Sequence, residues 1–179
     1  MLLSDNEKNV DIVNPYFCWN FRAKFFVQYF FRYKVIKQRE IYILKNEKYI
    51  EHNGSSNIED IIKENFNKTG SVLSFSFDSC ANDPNILIKT KKANCIGYSA
   101  FLAASIKNRL AVLGLDDKWE VSHEVGEIYF LNENINKYFT SKFFKDHDFV
   151  VVRNKKTKES IAVDPALYDY LRIDKIVLK

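Results

Sequence analysis

The sequence predicts an α+β fold, in which helices occupy the first part of the chain and a mostly antiparallel sheet follows. Two patterns lead to this class: helical spacing of apolar residues before residue 113, and short strand-like segments after it. A chain of 179 residues with 46% hydrophobic content is long enough for a single domain with its own core. No boundary or repeat divides it, so we expect one domain over residues 1–179.

The first predicted helix covers residues 15–38. Asn14 can cap it, and Pro15 suits the first helical position because proline lacks the N–H that has no partner there. Aromatic residues recur at every fourth position along one face: Phe17, Phe21, Phe25 and Tyr29. Such a face most often packs inside its own domain. A protein partner on residues 15–38, or a membrane surface on residues 17–36, are the alternatives.

The next segments contain shorter elements. Residues 40–51 alternate loosely and indicate an edge strand and a loop. Asn57 can cap a second, amphipathic helix that ends near Thr69 and Gly70. Alternating phenylalanines at Phe75 and Phe77 then predict a half-buried strand, and a loop over residues 82–85 follows.

The third predicted helix runs from Cys95 to about Val112. It is apolar nearly all round, which is typical of a helix at the centre of a domain. After it, four segments have the composition of strands: residues 119–122, 127–131, 149–153 and 160–163. The last two are joined by a basic turn, which we expect to be a solvated hairpin tip.

Composition excludes several classes of function. A net charge of +4 without a concentrated basic stripe gives no support to nucleic-acid binding. No window approaches the roughly 20 apolar residues of a membrane-spanning helix, and the first ten residues do not resemble a signal peptide. Three distant cysteines, Cys18, Cys80 and Cys95, suit neither a disulfide framework nor a zinc site, and they favour reduced thiols in the cytoplasm. The scattered histidines predict no metal, and nothing indicates a cofactor.

Three residues have positions that suit nucleophilic catalysis. Cys95 lies where a loop becomes a helix, so the helix N-terminus favours its thiolate. His147 opens one predicted strand and Asp164 closes the next. If these strands pair as a hairpin, His147 and Asp164 meet at the same end of the sheet, where a carboxylate can orient an imidazole.

The motifs around these residues are ANCIGYSA at 93–100, HDFVVV at 147–152 and VDP at 163–165. Together they resemble the transglutaminase-like branch of papain-like thiol enzymes, with the same order of Cys, His and Asp. Cys95 precedes His147 by 52 residues, and His147 precedes Asp164 by 17. The resemblance covers residues 89–170 and implies a central cysteine-bearing helix packed on an antiparallel sheet. Residues 1–88 lie outside it and are expected to form a helical extension integrated with that core.

The resemblance implies a chemistry for each residue. Cys95 would be the nucleophile, His147 the base that later protonates the leaving amine, and Asp164 the group that orients the imidazole. The substrate would be an amide or isopeptide bond of a peptide or protein, cleaved through a thioester. The Cys95 N–H would be one oxyanion donor. Further candidates for oxyanion stabilisation or substrate binding are Asn82, Asn85, Asn94 and Tyr98.

Two alternatives stay open. His123 is a second candidate for the base, although no Asp-Pro follows it on a neighbouring strand. The domain could also be a catalytically inactive peptide-binding or protein-binding module. Two departures from the family pattern motivate this reading: Asn94 occupies a position that is commonly glycine, and Asp148-Phe149 replaces a small residue and tryptophan.

Overall fold

The computed structural model describes residues 26, 29–49, 54–141, 144–171, 173 and 175–179, and over these residues the fold is α+β. The helices are α1 Ile58–Val72, α2 Pro84–Thr90, α3 Cys95–Val112 and α4 Pro165–Leu171. The strands are β1 Phe31–Arg39, β2 Ser74–Phe75, β3 Lys92–Ala93, β4 Trp119–Phe130, β5 Glu133–Asn134, β6 His147–Asn154, β7 Ser160–Val163 and β8 Lys175–Ile176. Short 3₁₀ turns lie at Glu47–Tyr49 and Ile135–Tyr138.

The main sheet has the order β1-β4-β6-β7-β8, with β5 paired to the end of β4. Each of these pairs is antiparallel, and β2 and β3 form a separate parallel pair. Helices α1 and α3 pack on this sheet, and a core of aliphatic side chains from both helices meets Val150, Val152 and Val163. The long α3 is therefore the central helix, with its N-terminus held near one end of the sheet.

The predicted helix over residues 15–38 is only partly confirmed: residues 26, 29 and 30 are helical, but residues 31–39 form the strand β1. This strand pairs with β4 from Phe31 opposite Phe130 to Arg39 opposite His123. Apolar and basic residues alternate from Phe31 to Val35, which is the strand period that the wider aromatic pattern obscured. Residues 15–25, 27 and 28 lie outside the described residues. A helical partner face over the whole of 15–38 is therefore not present.

Other boundaries also differ from expectation. Residues 40–46 form a loop rather than an edge strand, and the two strands predicted at 119–122 and 127–131 are one strand, β4. At Gly126 a Cβ would lie 2.6 Å from the Lys34 carbonyl oxygen, so only glycine permits this close approach of β1. Strand β4 pairs with β1 on both sides of that position, although the register of β1 shifts there between Val35 and Lys37.

The helix caps explain the helix starts. Asn57 accepts hydrogen bonds from the N–H groups of Glu59 and Asp60, and this confirms the predicted start of α1. Asp83 caps α2 with Pro84 in its first turn, in a segment predicted to be only a loop. Helix α3 begins at Cys95 as predicted.

Candidate active site

Cys95 is the first residue of α3, and its position is set by the cap before it. The side-chain Oδ1 of Asn94 accepts a hydrogen bond from the Ile96 N–H at 3.0 Å. Asn94 adopts an extended backbone, so the chain turns into the helix at Cys95. The cysteine is 7% exposed, at the positive end of an 18-residue helix. The first N–H groups of a helix have no intrahelical acceptor, and Cys95 stands at this end of α3.

His147 and Asp164 meet as the hairpin geometry predicts. Strands β6 and β7 pair with Val150 opposite Val163, which places His147 and Asp164 at the same end of the pair. His147 Nε2 lies 2.7 Å from Asp164 Oδ2. The carboxylate is 1% exposed and the imidazole 21% exposed, so the pair is covered on the Asp164 side and open on the His147 side.

The second oxygen of Asp164 has a structural role. Oδ1 accepts the backbone N–H of Leu167 at 3.0 Å, so Asp164 also caps α4. Because one oxygen anchors the helix and the other binds the imidazole, the carboxylate has little freedom to turn. The Asp-Pro motif thus couples a helix start to the orientation of His147.

Tyr33 is a third contact of this carboxylate, and the sequence analysis missed it. Its hydroxyl donates to Asp164 Oδ2 at 3.2 Å, and its ring lies 6.0 Å from the His147 ring, centroid to centroid. Burial and then the Asp164 charge raise the pKa of Tyr33 well above its ordinary value, so the hydroxyl stays protonated and donating. The alternation of apolar and basic residues over 31–35 is the sequence pattern that could have predicted a buried Tyr33 on a strand.

Cys95 and His147 line the same cavity, and the sulfur lies close enough to the imidazole to help raise its pKa. Since Nε2 is turned to Asp164, the ring nitrogen available to the thiol is Nδ1. Burial alone lowers the pKa of His147, but the charge and hydrogen bond of Asp164, together with Cys95, raise it well above 6.5. The imidazolium form is therefore stabilised between a carboxylate and a sulfur.

A second polar cluster lies beside this group. Asp148 is 1% exposed and binds Arg39 through both oxygens and His123 through Oδ1, with His123 Nε2 at 2.8 Å. Burial opposes ionisation of Asp148, but His123 and Arg39 hold the pKa of this carboxyl below its usual value. The Arg39 charge also interacts with Cys95. Asp148, the residue after His147, therefore holds the Arg39 guanidinium in place, and the Arg39 charge acts on Cys95.

A cavity of about 270 Å³ opens over Cys95 and His147. Its other walls come from β4, from the segments after β2 and β5, and from the start of α4. The lining side chains are mostly apolar: Phe75, Phe77, Ile128, Ile135, Phe139, Phe144 and Ala166, with Asn136 and Asp146. A substrate that enters this cavity reaches both the sulfur and the imidazole.

The other residues predicted for the site do not line the cavity. Asn85 donates to the Ile43 carbonyl and accepts from the Lys45 N–H, so it holds the loop after β1 and lies outside the cavity. The Asn94 amide donates to the Asp78 carbonyl while its oxygen caps α3. Tyr98 is 1% exposed and donates to Leu73 and Asp169. Asn82 lies in the turn before α2 and does not line the cavity.

His123 also lies away from the cavity. It is fully buried against Asp148 and does not itself line the opening over Cys95. His147 is therefore the histidine that the structure brings to the cysteine. His123 serves instead as a buried partner of the carboxylate that holds Arg39.

Comparison with known proteins adds no relative. No family model, curated protein sequence or solved structure matches the chain. Among the described residues, no helix has the length and apolar character needed to cross a bilayer. That same part of the chain contains no group of three or more His, Cys, Asp or Glu side chains suited to a metal ion.

Proposed function

We propose that this protein is a thiol acyl-transfer enzyme of the transglutaminase-like, papain-like type, acting on amide or isopeptide bonds of a peptide or protein. The observation that carries the proposal is that Asp164 binds His147, and that His147 and Cys95 line the same open cavity. Nucleophile, base and orienting carboxylate are then in the order that covalent catalysis by cysteine requires.

The first half of the reaction follows from these contacts. His147 Nδ1 takes the thiol proton, and the Cys95 sulfur attacks the carbonyl carbon of the substrate amide. The resulting tetrahedral oxyanion is stabilised by the Cys95 N–H, since the first N–H groups of a helix have no intrahelical acceptor. Collapse breaks the C–N bond, His147 gives its proton to the leaving amine, and a thioester remains on Cys95.

The second half depends on the acceptor. Water or an amine loses a proton to His147 and attacks the thioester carbonyl, which releases the acid or a new amide and restores the thiol. Hydrolysis and transamidation share every residue up to this step. We propose water as the principal acceptor, and the two reduced thiols Cys80 and Cys95 favour a reducing compartment such as the cytoplasm.

The test is alkylation of the chain with iodoacetamide between pH 5 and 9, followed by peptide mass spectrometry, in the wild type and in His147→Ala. We expect Cys95 to label rapidly below pH 6, and this rate to collapse in the variant. Cys80 is the internal control, because burial raises the pKa of its thiol. It should label slowly at acidic pH in both proteins.

The opposite result supports the second candidate, a binding module. If Cys95 labels like an ordinary thiol with a pKa near 8.5, indifferent to His147, the acyl-transfer function is wrong. The same aromatic cavity would then bind a peptide without chemistry, which the departures from the family pattern around Cys95 and His147 already motivate.

A further inference from the structure

Three phenylalanines that line the cavity over Cys95 are exposed to solvent. Phe77 is 72% exposed, Phe139 43% and Phe144 42%, yet all three line this one opening. Scattered apolar residues on a surface need no explanation, but aromatic residues clustered at a functional opening mark a binding site. The thiol and the imidazole form the polar end of an otherwise apolar chamber.

The rings are arranged in two pairs on separate segments. Phe75 and Phe77 lie with their centroids 5.0 Å apart, nearly perpendicular, on the segment after α1. Phe139 and Phe144 have centroids 5.0 Å apart, on the segment between β5 and β6. Edge-to-face and tilted geometry is the arrangement by which aromatic groups bind one another, so a further ring can join either pair.

The charges at the cavity select against an acidic guest. Among the described residues that line the cavity, Asp146 is the one ionisable side chain besides Cys95 and His147, and it is 33% exposed with Lys37 at 3.6 Å. The same described lining contains no basic side chain apart from the imidazole. Away from the imidazole, a carboxylate entering the chamber would thus meet an apolar wall and the like charge of Asp146.

The size of the chamber fits a single ring. An apolar cavity of about 150 Å³ can hold benzene, and this one has about 270 Å³ open to solvent on one side. One aromatic side chain fits, with space for the backbone that connects it to the amide at Cys95.

We propose that this chamber is a subsite for an aromatic side chain of the peptide whose amide reaches Cys95. The inference rests on the proposed function and makes it more specific: the substrate is an uncharged, aromatic-bearing peptide segment, and acidic segments are rejected. Phe77 and Phe139 are the specificity-determining residues, because both are exposed and line the chamber from two different segments of the chain.

The experiment compares three alkylating probes on the full chain: iodoacetamide, its N-benzyl derivative, and the N-(4-carboxybenzyl) derivative. Each rate at Cys95 is divided by the rate of the same probe with free cysteine. We expect the normalised benzyl rate to exceed the iodoacetamide rate by about tenfold or more, from burial of the ring. The carboxylated probe should lose most of this advantage.

Variants assign the preference to the chamber. Phe77→Ala and Phe139→Ala should each reduce the benzyl preference, which is the ratio of the normalised benzyl rate to the iodoacetamide rate. The matched control is Ile43→Ala, a side chain that is 71% exposed and does not line the chamber. This variant should keep the full preference.

The outcomes separate the two proposals. Rapid labelling by iodoacetamide below pH 6 without a benzyl preference would overturn the aromatic subsite and leave the acyl-transfer function standing. If Cys95 prefers the benzyl probe but labels slowly with iodoacetamide below pH 6, the aromatic subsite is supported and the acyl-transfer function is wrong. With neither property, both proposals are wrong.

Discussion

Replacing Asp164 with asparagine tests the proposed chemistry most directly, because the side chain keeps its shape but loses its charge and one of its two acceptor oxygens. In the wild type, Oδ2 accepts from His147 at 2.7 Å and from the Tyr33 hydroxyl at 3.2 Å, while Oδ1 accepts from the Leu167 N–H. An asparagine has one oxygen for these three donors. Whichever way the amide turns, at least one donor loses its acceptor.

The expected magnitude follows from the lost contact. A hydrogen bond to a charged group contributes about 1.5–3 kcal/mol, which corresponds to a roughly 10-fold to 150-fold change in an equilibrium. If the amide N–H₂ faces the ring, Nε2 becomes the acceptor and Nδ1 carries its proton toward Cys95, so the neutral ring cannot accept the thiol proton. In serine-protease triads the equivalent change lowers kcat by about 10⁴ for this reason.

The assay is the rate of iodoacetamide labelling of Cys95 at pH 6, with Cys80 as the internal reference. We expect a fall of about tenfold or more in Asp164→Asn. Asp83→Asn is the matched control, because Asp83 caps α2 in the same way and lies outside the cavity. An unchanged Cys95 rate in a folded Asp164→Asn protein would refute the assignment of Asp164 as the orienting carboxylate.

The remaining predictions concern stability. Tyr33→Phe removes one donor from the buried Asp164 carboxylate, and denaturant unfolding should show a loss of about 1–3 kcal/mol; an unchanged midpoint would contradict the contact. Since the folded-state pKa of His147 lies above its ordinary 6.5, its charge stabilises the protein below about pH 6.5, and this stability is lost as pH rises through the raised value. The deficit of His147→Gln in urea unfolding should therefore be larger at pH 6 than at pH 9. Gly97→Ala would place a Cβ 2.7 Å from the Ala93 Cβ and should cost about 1–3 kcal/mol in the same assay.

The control for Gly97→Ala is a second helical glycine, Gly70. Gly70→Ala introduces a Cβ in α1 whose nearest neighbour is the Asp169 carboxylate at 3.2 Å, the end of a side chain that can shift. It should be neutral or stabilising, because alanine is the better helix former. Equal stability of the Gly97→Ala and Gly70→Ala proteins would show that α3 is not packed as tightly as its contacts indicate. For His147→Gln, a deficit that does not change with pH would refute the raised pKa.

Much of the candidate site could be predicted because its signals are local. A polar cap followed by an apolar helix located Cys95, and β7 followed by Asp-Pro located Asp164. Pairing across a short turn then related Asp164 to His147, since adjacent strands joined by a hairpin bring their outer ends together. In each case, the position of the site residue could be predicted from residues that lie close to it in the chain.

The aromatic segment after residue 14 could not be assigned in this way. Aromatic residues are compatible with both a helix and a strand, and the spacing of four in one stretch overlaps the alternation of Phe31, Tyr33 and Val35 in the next. Pairing with β4, about ninety residues away in the chain, decided the matter for residues 31–39. Local propensity could not outweigh the ladder of backbone hydrogen bonds that β1 forms with β4.

The sequence by itself determined the fold class, the central helix, and the proximity of His147 to Asp164, because these depend on periodicity, capping and short-range pairing. Only the tertiary structure brought Tyr33 to Asp164 across 131 residues, joined Arg39 to Asp148, and gathered the phenylalanines of two segments into one chamber over Cys95. The physical reason is that contacts between distant residues depend on strand order and on the closure of long loops. A single sequence displays neither of these.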